Sequence, residues 1–326
     1  MRMIVGVDVG GTNVVVGTVP EDGRTVYGLV KERTDNTNGG RAVVAQIARM
    51  VAHSLAAMRE KLDDEVDVAG VGIGSPGPID IQAGVVLLSP NLGWRDFPLR
   101  DLVSEATGLP ATLDNDANCA IFGEWWRGAA RGGRVVVGLT IGTGIGGGIV
   151  IDGEIFHGAT NIAGEVGHMS IDSTGRRCNC GNYGCLEAYA SGSAIAARAI
   201  EGIEAGADTS LPDLVDGDLA HVTAQVVYDA ARDGDAYALE VIQDTARFLG
   251  TGVANLVNVF NPDIVVICGG VTAAGNRLFG PLQAEVARRA FRPAVEACRI
   301  VPGTLPGTAG VSGAVAAFKV QTWGAA

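Results

Sequence analysis

Lysine is almost missing from this chain: only Lys31, Lys61 and Lys319 occur among 326 residues, and none lies in a glycine-rich loop. A Walker-type phosphate loop, or a kinase domain built on a strand lysine, is therefore excluded. Positive charge is scarce overall, with 24 Lys and Arg against 36 Asp and Glu and a formal net charge of −12. Nucleic acid and anionic membranes call for basic patches and are excluded as partners. Long hydrophobic runs are absent as well. The opening MRMIVGVDVGGTN has a short apolar run broken by Asp8, which is neither a secretory h-region nor long enough to span a bilayer. VVVGLTI and DIVVICGG are strand-length and rich in or flanked by glycine. The chain is expected to be a cytoplasmic, globular protein, and its length makes two domains the starting expectation.

Cysteine is sparse except in one place. Cys119, Cys268 and Cys298 lie singly in apolar surroundings, whereas Cys178, Cys180 and Cys185 crowd into the run CNCGNYGC, with His168 ten residues upstream of the first. Three thiolates and an imidazole at this spacing make a closed Cys3His zinc site. A disulfide is the rival reading, weakened because the sequence offers the outlying cysteines no obvious disulfide pairing and by the missing secretory signal. Glu165 in AGEVGH and Glu187 in GCLEAY flank the motif. Folding this loop around a metal would also fix where two acids point.

The rest of the chain alternates strand and helix patterns. Met3 to Val9 favours strand, breaks at Gly10-Gly11-Thr12-Asn13, and resumes as Val14 to Val19. The same grammar recurs at Val135 to Ile141, Gly142-Thr143-Gly144 and Ile149 to Ile151. Gly6, Asp8 and Gly10 match Gly138, Thr140 and Gly142 at a constant offset of 132 residues, so the architecture is duplicated. Ile47, Val51, Leu55 and Met58 line one face of a helix, and Cys119, Phe122, Trp126 and Ala129 another. Ile264 to Cys268 reads as a buried strand running into Gly269-Gly270. Two matches to G-x-G-x-x-G, at Gly72-Gly74-Gly77 and Gly142-Gly144-Gly147, fail as dinucleotide fingerprints because neither opens a helix. Paired Gly/Thr turns instead offer amide donors and hydroxyls as an anion cradle that needs no lysine. Asp8, at the mouth of the first, is placed to hold magnesium or its waters. Asp116, in LDNDANC, falls at a helix start, where on the helix pattern alone it reads as an ordinary N-cap.

The ordered set VDVGGTN, GSPGPID, NLGWRDFPL, DNDANC, GLTIGTGIGGG, AGEVGHMS, CNCGNYGCLE and VVICGGV covers essentially the whole chain and resembles the ROK family of sugar kinases and regulators. The resemblance implies an α/β, actin-like and ribonuclease H-like two-lobed sugar kinase fold with duplicated βββαβα-type lobes, ATP lying between them. Residues 1–118, with a returning C-terminal helix at about 308–326, are expected to form the small lobe, and 119–307 the large lobe carrying the zinc loop. Asp8, Gly10, Gly11, Thr12, Asn13, Gly142, Thr143 and Gly144 are implied to meet ATP, with Gly269 and Gly270 near the nucleoside. Gly77, Asn91, Asn115, Asp116, Glu165, His168 and Glu187 are implied to contact sugar, with Asp116 as catalytic base. His168, Cys178, Cys180 and Cys185 are implied to bind structural Zn2+, with Mg2+ accompanying ATP. His168 would serve zinc through one ring nitrogen and sugar through the other.

NLGWRDFPL, with Asn91 and Trp94, resembles the glucokinase branch, so glucose is the expected substrate. N-acetylmannosamine, N-acetylglucosamine, fructose and allose kinases are the alternatives, and the assembly is expected to be a homodimer or homotetramer. A sugar-sensing repressor needs a DNA-binding segment ahead of a strand that here begins at Met3. A glycoside hydrolase using Glu165 and Glu187 would leave the doubled phosphate turns unexplained.

Overall fold

The computed structural model of the chain describes residues 1–62 and 66–324. In chain order its elements are β1 (Arg2–Val9), β2 (Asn13–Pro20), β3 (Tyr27–Arg33), α1 (Gly40–Arg59), β4 (Asp67–Ser75), β5 (Ile79–Asp80), β6 (Val85–Ser89), β7 (Trp94–Phe97), α2 (Leu99–Thr107), β8 (Ala111–Asn115) and α3 (Asp116–Arg127). There follow β9 (Val135–Ile141), β10 (Ile145–Ile151), β11 (Glu154–Ile155), α4 (Glu187–Ala190), α5 (Gly192–Glu204), α6 (Ala224–Arg232), α7 (Ala236–Phe260), β12 (Ile264–Gly269), α8 (Asn276–Arg289), α9 (Arg292–Ala297), β13 (Arg299–Pro302) and α10 (Ala309–Trp323). Two compact units result, one of residues 1–134, 148–164 and 304–326, the other of 135–147 and 165–303. Ala325 and Ala326, at the end of the expected C-terminal helix, lie outside the described residues.

The first unit is built on a sheet of order β3-β2-β1-β4-β8. β1 pairs antiparallel with β2, Val7 opposite Val16, and parallel with β4, Gly6 opposite Gly72. β1 is buried along nearly its whole length, as a central strand covered on both faces should be. β3, at the edge, alternates between half-buried and exposed positions. One face is covered by α1, whose Ile47, Val51 and Met58 are buried with Leu55 packed beside them. A small antiparallel sheet β5-β6-β7 ends in Trp94 stacked on Phe97, ring centroids 4.6 Å apart.

The expected stripe Cys119, Phe122, Trp126, Ala129 needs one correction. α3 stops at Arg127, and Ala129 lies in the following turn, where its N–H donates to Glu124 Oε2 at 2.8 Å. Glu124 is 1% exposed and also accepts the N–H groups of Thr304 and Leu305, at 3.0 and 2.8 Å. A carboxylate that collects three backbone donors stops the helix more firmly than side-chain periodicity can extend it.

α10 is apolar all round and buried from Gly310 to Lys319. Glycines let it approach so closely. A β-carbon at Gly6 would overlap the Val311 carbonyl, one at Gly72 the Ala314 carbonyl, one at Gly123 the Ala309 carbonyl, and one at Gly313 the Cys119 carbonyl. β1, β4 and α3 therefore meet α10 backbone to backbone.

In the second unit β9 repeats the part of β1. It leads through a three-residue turn into β10, pairs parallel with β12, Leu139 opposite Ile267, and β12 pairs parallel with β13. β1, β4 and β8 stand in the same succession, which is the duplication in structural form. The long α7 and α8 pack beside this layer, with Leu249, Val253, Leu256, Leu278 and Leu282 buried. Among the described residues no helix is long and apolar enough to cross a membrane.

The glycine seam generates a test. Gly72→Ala puts a methyl group against backbone that has no rotamer to yield, so a loss of roughly 1–3 kcal/mol or more is expected. Gly280→Ala, whose nearest neighbour to the added carbon would be 3.8 Å away in α8, should be neutral or stabilising by up to ~1 kcal/mol. Denaturant midpoints of the two variants check this, and equal stability would refute the seam.

Candidate active site

In the first unit, β1 carries Asp8 as its penultimate residue, ends at Val9 and turns through Gly10-Gly11-Thr12 into Asn13, the first residue of β2. Gly10 N–H donates to the Asn13 carbonyl at 2.8 Å, and Thr34 Oγ1 donates to the Gly10 carbonyl at 2.7 Å. Asn91, in a single helical turn before β7, lies against Gly11. Gly77, at φ 99°, accepts a hydrogen bond from Asn115 Nδ2 at 3.3 Å through its carbonyl.

Asn115 ends β8 and caps α3, its Oδ1 accepting the N–H groups of Ala117 and Asn118 at 2.9 and 3.1 Å. The N-cap reading of Asp116 is thereby corrected. Asp116 is the first helical residue, and its Oδ1 accepts the adjacent Ala117 N–H at 2.9 Å. Asp8 and Asp116 are electrostatic neighbours. Burial first, and then the Asp116 charge, push the Asp8 carboxyl up to about 7. Gly310, at the start of α10, sits so close that any β-carbon there would overlap the Asp8 carboxylate.

In the second unit the turn Gly142-Thr143-Gly144 is closed by a Gly142 N–H to Gly144 carbonyl bond of 2.9 Å. α5 docks on it, Gly192 N–H donating to the Gly142 carbonyl at 2.8 Å and Ser193 Oγ to the Thr143 carbonyl at 2.9 Å. Gly142, Thr143 and Gly270 line a cavity of about 410 Å³ together with Ser193, Gln225 and Tyr228. Gly144 and Gly269 do not line it. Gly269, at φ 99°, instead lets β12 turn against the Ile141 carbonyl. Sequence reasoning missed Ser193, Gln225 and Tyr228, because nothing local marks the residues of α5 and α6 that line this cavity.

Positive φ is not why the paired turns are glycine. Gly10, Gly11, Gly142 and Gly144 have ordinary φ, while a β-carbon at Gly142 or Gly270 would meet nothing within 4 Å. What glycine supplies at these two positions is open space beside the backbone, suited to a ligand that must approach the amides.

Glu165 precedes a helical turn over Val166–His168, leaving His168 Nε2 4.0 Å from Glu165 Oε2. His168 Nδ1 faces Cys178 Sγ at 3.7 Å, and Cys180 Sγ faces Cys185 Sγ at 3.7 Å. All four ligand atoms lie within 4.8 Å of one another. Zn–S bonds of about 2.3 Å set tetrahedral edges near 3.8 Å, so the donor set fits that ion. The loop is shaped by its own backbone: Cys178 N–H donates to the Asn182 carbonyl at 2.8 Å, and Gly181 and Gly184 take φ of 95° and 73°. Burial, then the neighbouring Cys180 and Cys178, push the Cys185 thiol up to about 12, while the Asn182 backbone N–H lowers Cys180. Without a cation the trio resists full ionisation. Glu187, the first residue of α4, joins the two features: its Oε2 accepts Ile145 N–H at 2.8 Å, and its Oε1 lies 3.8 Å from Cys178 Sγ.

The Asp8 shift has a measurable sign. Its folded value of about 7 exceeds the ordinary 3.8. The carboxyl therefore costs nothing below pH 4, and stability is lost as pH rises through 7. Asp8→Asn should raise the melting temperature of the ligand-free protein at pH 8, by the equivalent of roughly 2–4 kcal/mol, and leave it nearly unchanged at pH 4. Scanning calorimetry at both values checks this, and an equal gain at pH 4 would contradict it.

Comparison with known proteins places the chain. It is 40% identical to a glucokinase of Halalkalibacterium halodurans over 96% of this chain and 93% of the relative. It is 39% identical to a glucokinase of Thermotoga maritima over 98% of each. The crystal structure of a ROK family glucokinase from Streptomyces griseus, in complex with glucose and AMPPNP, superposes with a TM-score of 0.83 at 35% identity, covering 96% of this chain and 98% of that one. Its fold is the two-lobed, actin-like α/β fold of ROK sugar kinases. The ROK family profile matches residues 4–321, and the chain belongs to the ROK family.

Proposed function

We propose that the chain phosphorylates glucose at its 6-hydroxyl, with ATP as donor. Near-full-length identity of about 40% to glucokinases supports the substrate. The observation that carries the chemistry is the division of labour at the start of α3. Asn115 takes over the capping, so the carboxylate of Asp116 is not the group that closes the helix.

In this reading Asn91, Gly77, Asn115, Glu165, His168 and Glu187 hold the sugar by paired hydrogen bonds, which reject a ring whose hydroxyls leave them unpaired. The Gly10–Asn13 and Gly142–Gly144 turns present amide and hydroxyl donors to the phosphates, and the cavity beside Gly142 and Gly270 takes the nucleoside. The sugar oxygen attacks the γ-phosphorus, the bond to the ADP oxygen breaks in line with it, and the hydroxyl proton passes to Asp116. The transition state is loose, so Asp116 serves mainly by aligning the nucleophile. Mg2+ held through Asp8 would neutralise phosphate charge, and Zn2+ held by His168, Cys178, Cys180 and Cys185 would brace the loop carrying Glu165 and Glu187. The free thiols of Cys119 and Cys298 suit a reducing cytoplasm. The largely exposed Val259 and Phe291 suit a homo-oligomer, dimer or tetramer.

Asp116→Asn should lower kcat by roughly 10²–10⁴-fold with glucose binding retained. A coupled assay and calorimetry decide it, run on glucose, fructose, allose, N-acetylmannosamine and N-acetylglucosamine, with ATP and polyphosphate as donors. Retained turnover sinks the base, and preference for an N-acetylated sugar sinks the glucose assignment.

Cys180→Ser should lower bound zinc and melting temperature together, since metal binding energy in such a loop is folding energy. Elemental analysis of protein purified without chelator provides the check. Wild-type protein free of zinc would remove the metal from the reading.

A further inference from the structure

Asp114 ends the buried part of β8 with 1% exposure, opposite Gly74 of β4. Its carboxylate gathers three separate elements. From the start of α3 it accepts Asn115 N–H at 2.8 Å and Asn118 Nδ2 at 3.3 Å, and from α10 it accepts Gln321 Nε2 at 3.3 Å. From the loop after β11 comes His157, whose Nε2 lies 2.9 Å from Oδ2 and 3.2 Å from Oδ1. Burial alone would lower the imidazole's pKa. The hydrogen bond and charge of Asp114 outweigh that and raise it, which favours the paired, protonated form.

This pair sits in crowded electrostatic surroundings. Burial, followed by the charges of Asp114, Asp8 and Asp116, pushes the Cys119 thiol well up, so three carboxylates act on one small volume. A buried carboxylate left without its cation in such a place is costly, and the backbone carrying it is what would move.

We propose that His157 is a positioning residue for phosphoryl transfer: by holding Asp114, it fixes the β8–α3 junction on which Asn115 and Asp116 stand. The linkage is short. Asp114 takes the N–H of Asn115, and Asn115 in turn caps α3 with its Oδ1 and reaches the Gly77 carbonyl with its Nδ2. Asp116 is the next residue, with no intervening side chain to absorb a shift. His157 also closes its own loop, its carbonyl accepting Ala163 N–H at 3.1 Å, two residues before Glu165. The inference rests on the reading of Asp116 as base and adds a residue that acts on it through Asp114.

The test uses the full chain with His157→Ala, His157→Gln and His157→Arg. It measures kcat, KM for glucose and ATP, melting temperature, and active-site concentration by calorimetric titration with glucose. A misplacement of about 1 Å at the reacting atoms costs on the order of 100-fold, so His157→Ala should lower kcat per active site roughly 10–100-fold with KM for ATP nearly unchanged. Arginine can offer a charged pair of N–H donors to the same carboxylate and should restore most of the rate. Glutamine offers an uncharged donor and should fall between. Should the alanine variant fail to fold, the order arginine above glutamine carries the result. Normal kcat per active site in the alanine and glutamine variants, with only the melting temperature lowered, would overturn the positioning role. Active wild type with an inactive Asp116→Asn isolates that failure to His157; turnover in Asp116→Asn would instead remove the base on which the inference rests.

Discussion

The backbone-to-backbone contact of α10 with β1, β4 and α3 is the constraint on which the candidate site of the first unit depends. Gly6, Gly72, Gly123 and Gly313 each remove a side chain where two main chains touch. The result is a wall of carbonyls and amides with almost no adjustable atoms. Asp8 lies one residue before the end of one of the strands in that wall, Asp114 ends the buried part of another, and α3 starts beside them. Side-chain contacts can relax by changing rotamer, but contacts between peptide planes cannot, so the positions of these three acids are inherited from the rigid part of the fold.

That rigidity has an electrostatic counterpart. Asp8, Asp114 and Asp116 are held near one another in a chain that already carries a net charge of −12. The fold answers each acid differently. Asp114 receives His157 and three further donors, and Asp116 receives an amide at the helix start. Asp8 receives little, and its carboxyl is pushed up to about 7. Asp8 is the acid that the proposed function assigns to Mg2+, and a raised carboxyl suits a group whose partner would arrive with the ligand.

Features encoded over short stretches were legible in the sequence. The Cys178–Cys185 spacing, the strand–turn–strand of Val135–Ile151 and the stripe of α1 all depend on neighbours within a few turns. What depended on distant pairing was not. His157 meets Asp114 across 43 residues, and neither stands out in composition. Glu187 was legible as an acid beside a metal motif, but its bond to Ile145, 42 residues away, was not. The end of α3 was misjudged because apolar periodicity carries no information about Glu124 and the returning segment at Thr304. The glycines were placed correctly in turns, but sequence cannot separate a glycine needed for φ from one needed for room.

The cysteine loop also sets a hierarchy of chemical vulnerability. Cys119 is fully buried with its thiol held protonated by burial and three acids, and so is nearly inert to electrophiles despite lying beside the candidate site. Cys180 is exposed, its thiolate favoured by a backbone amide, with the Cys185 sulfur 3.7 Å away. Oxidants reaching a metal-free loop would attack Cys180 first and find a resolving thiol already in place. A Cys180–Cys185 disulfide would take two of the four atoms that the proposed function gives to zinc, and in that reading a bound ion would shield the pair from oxidation.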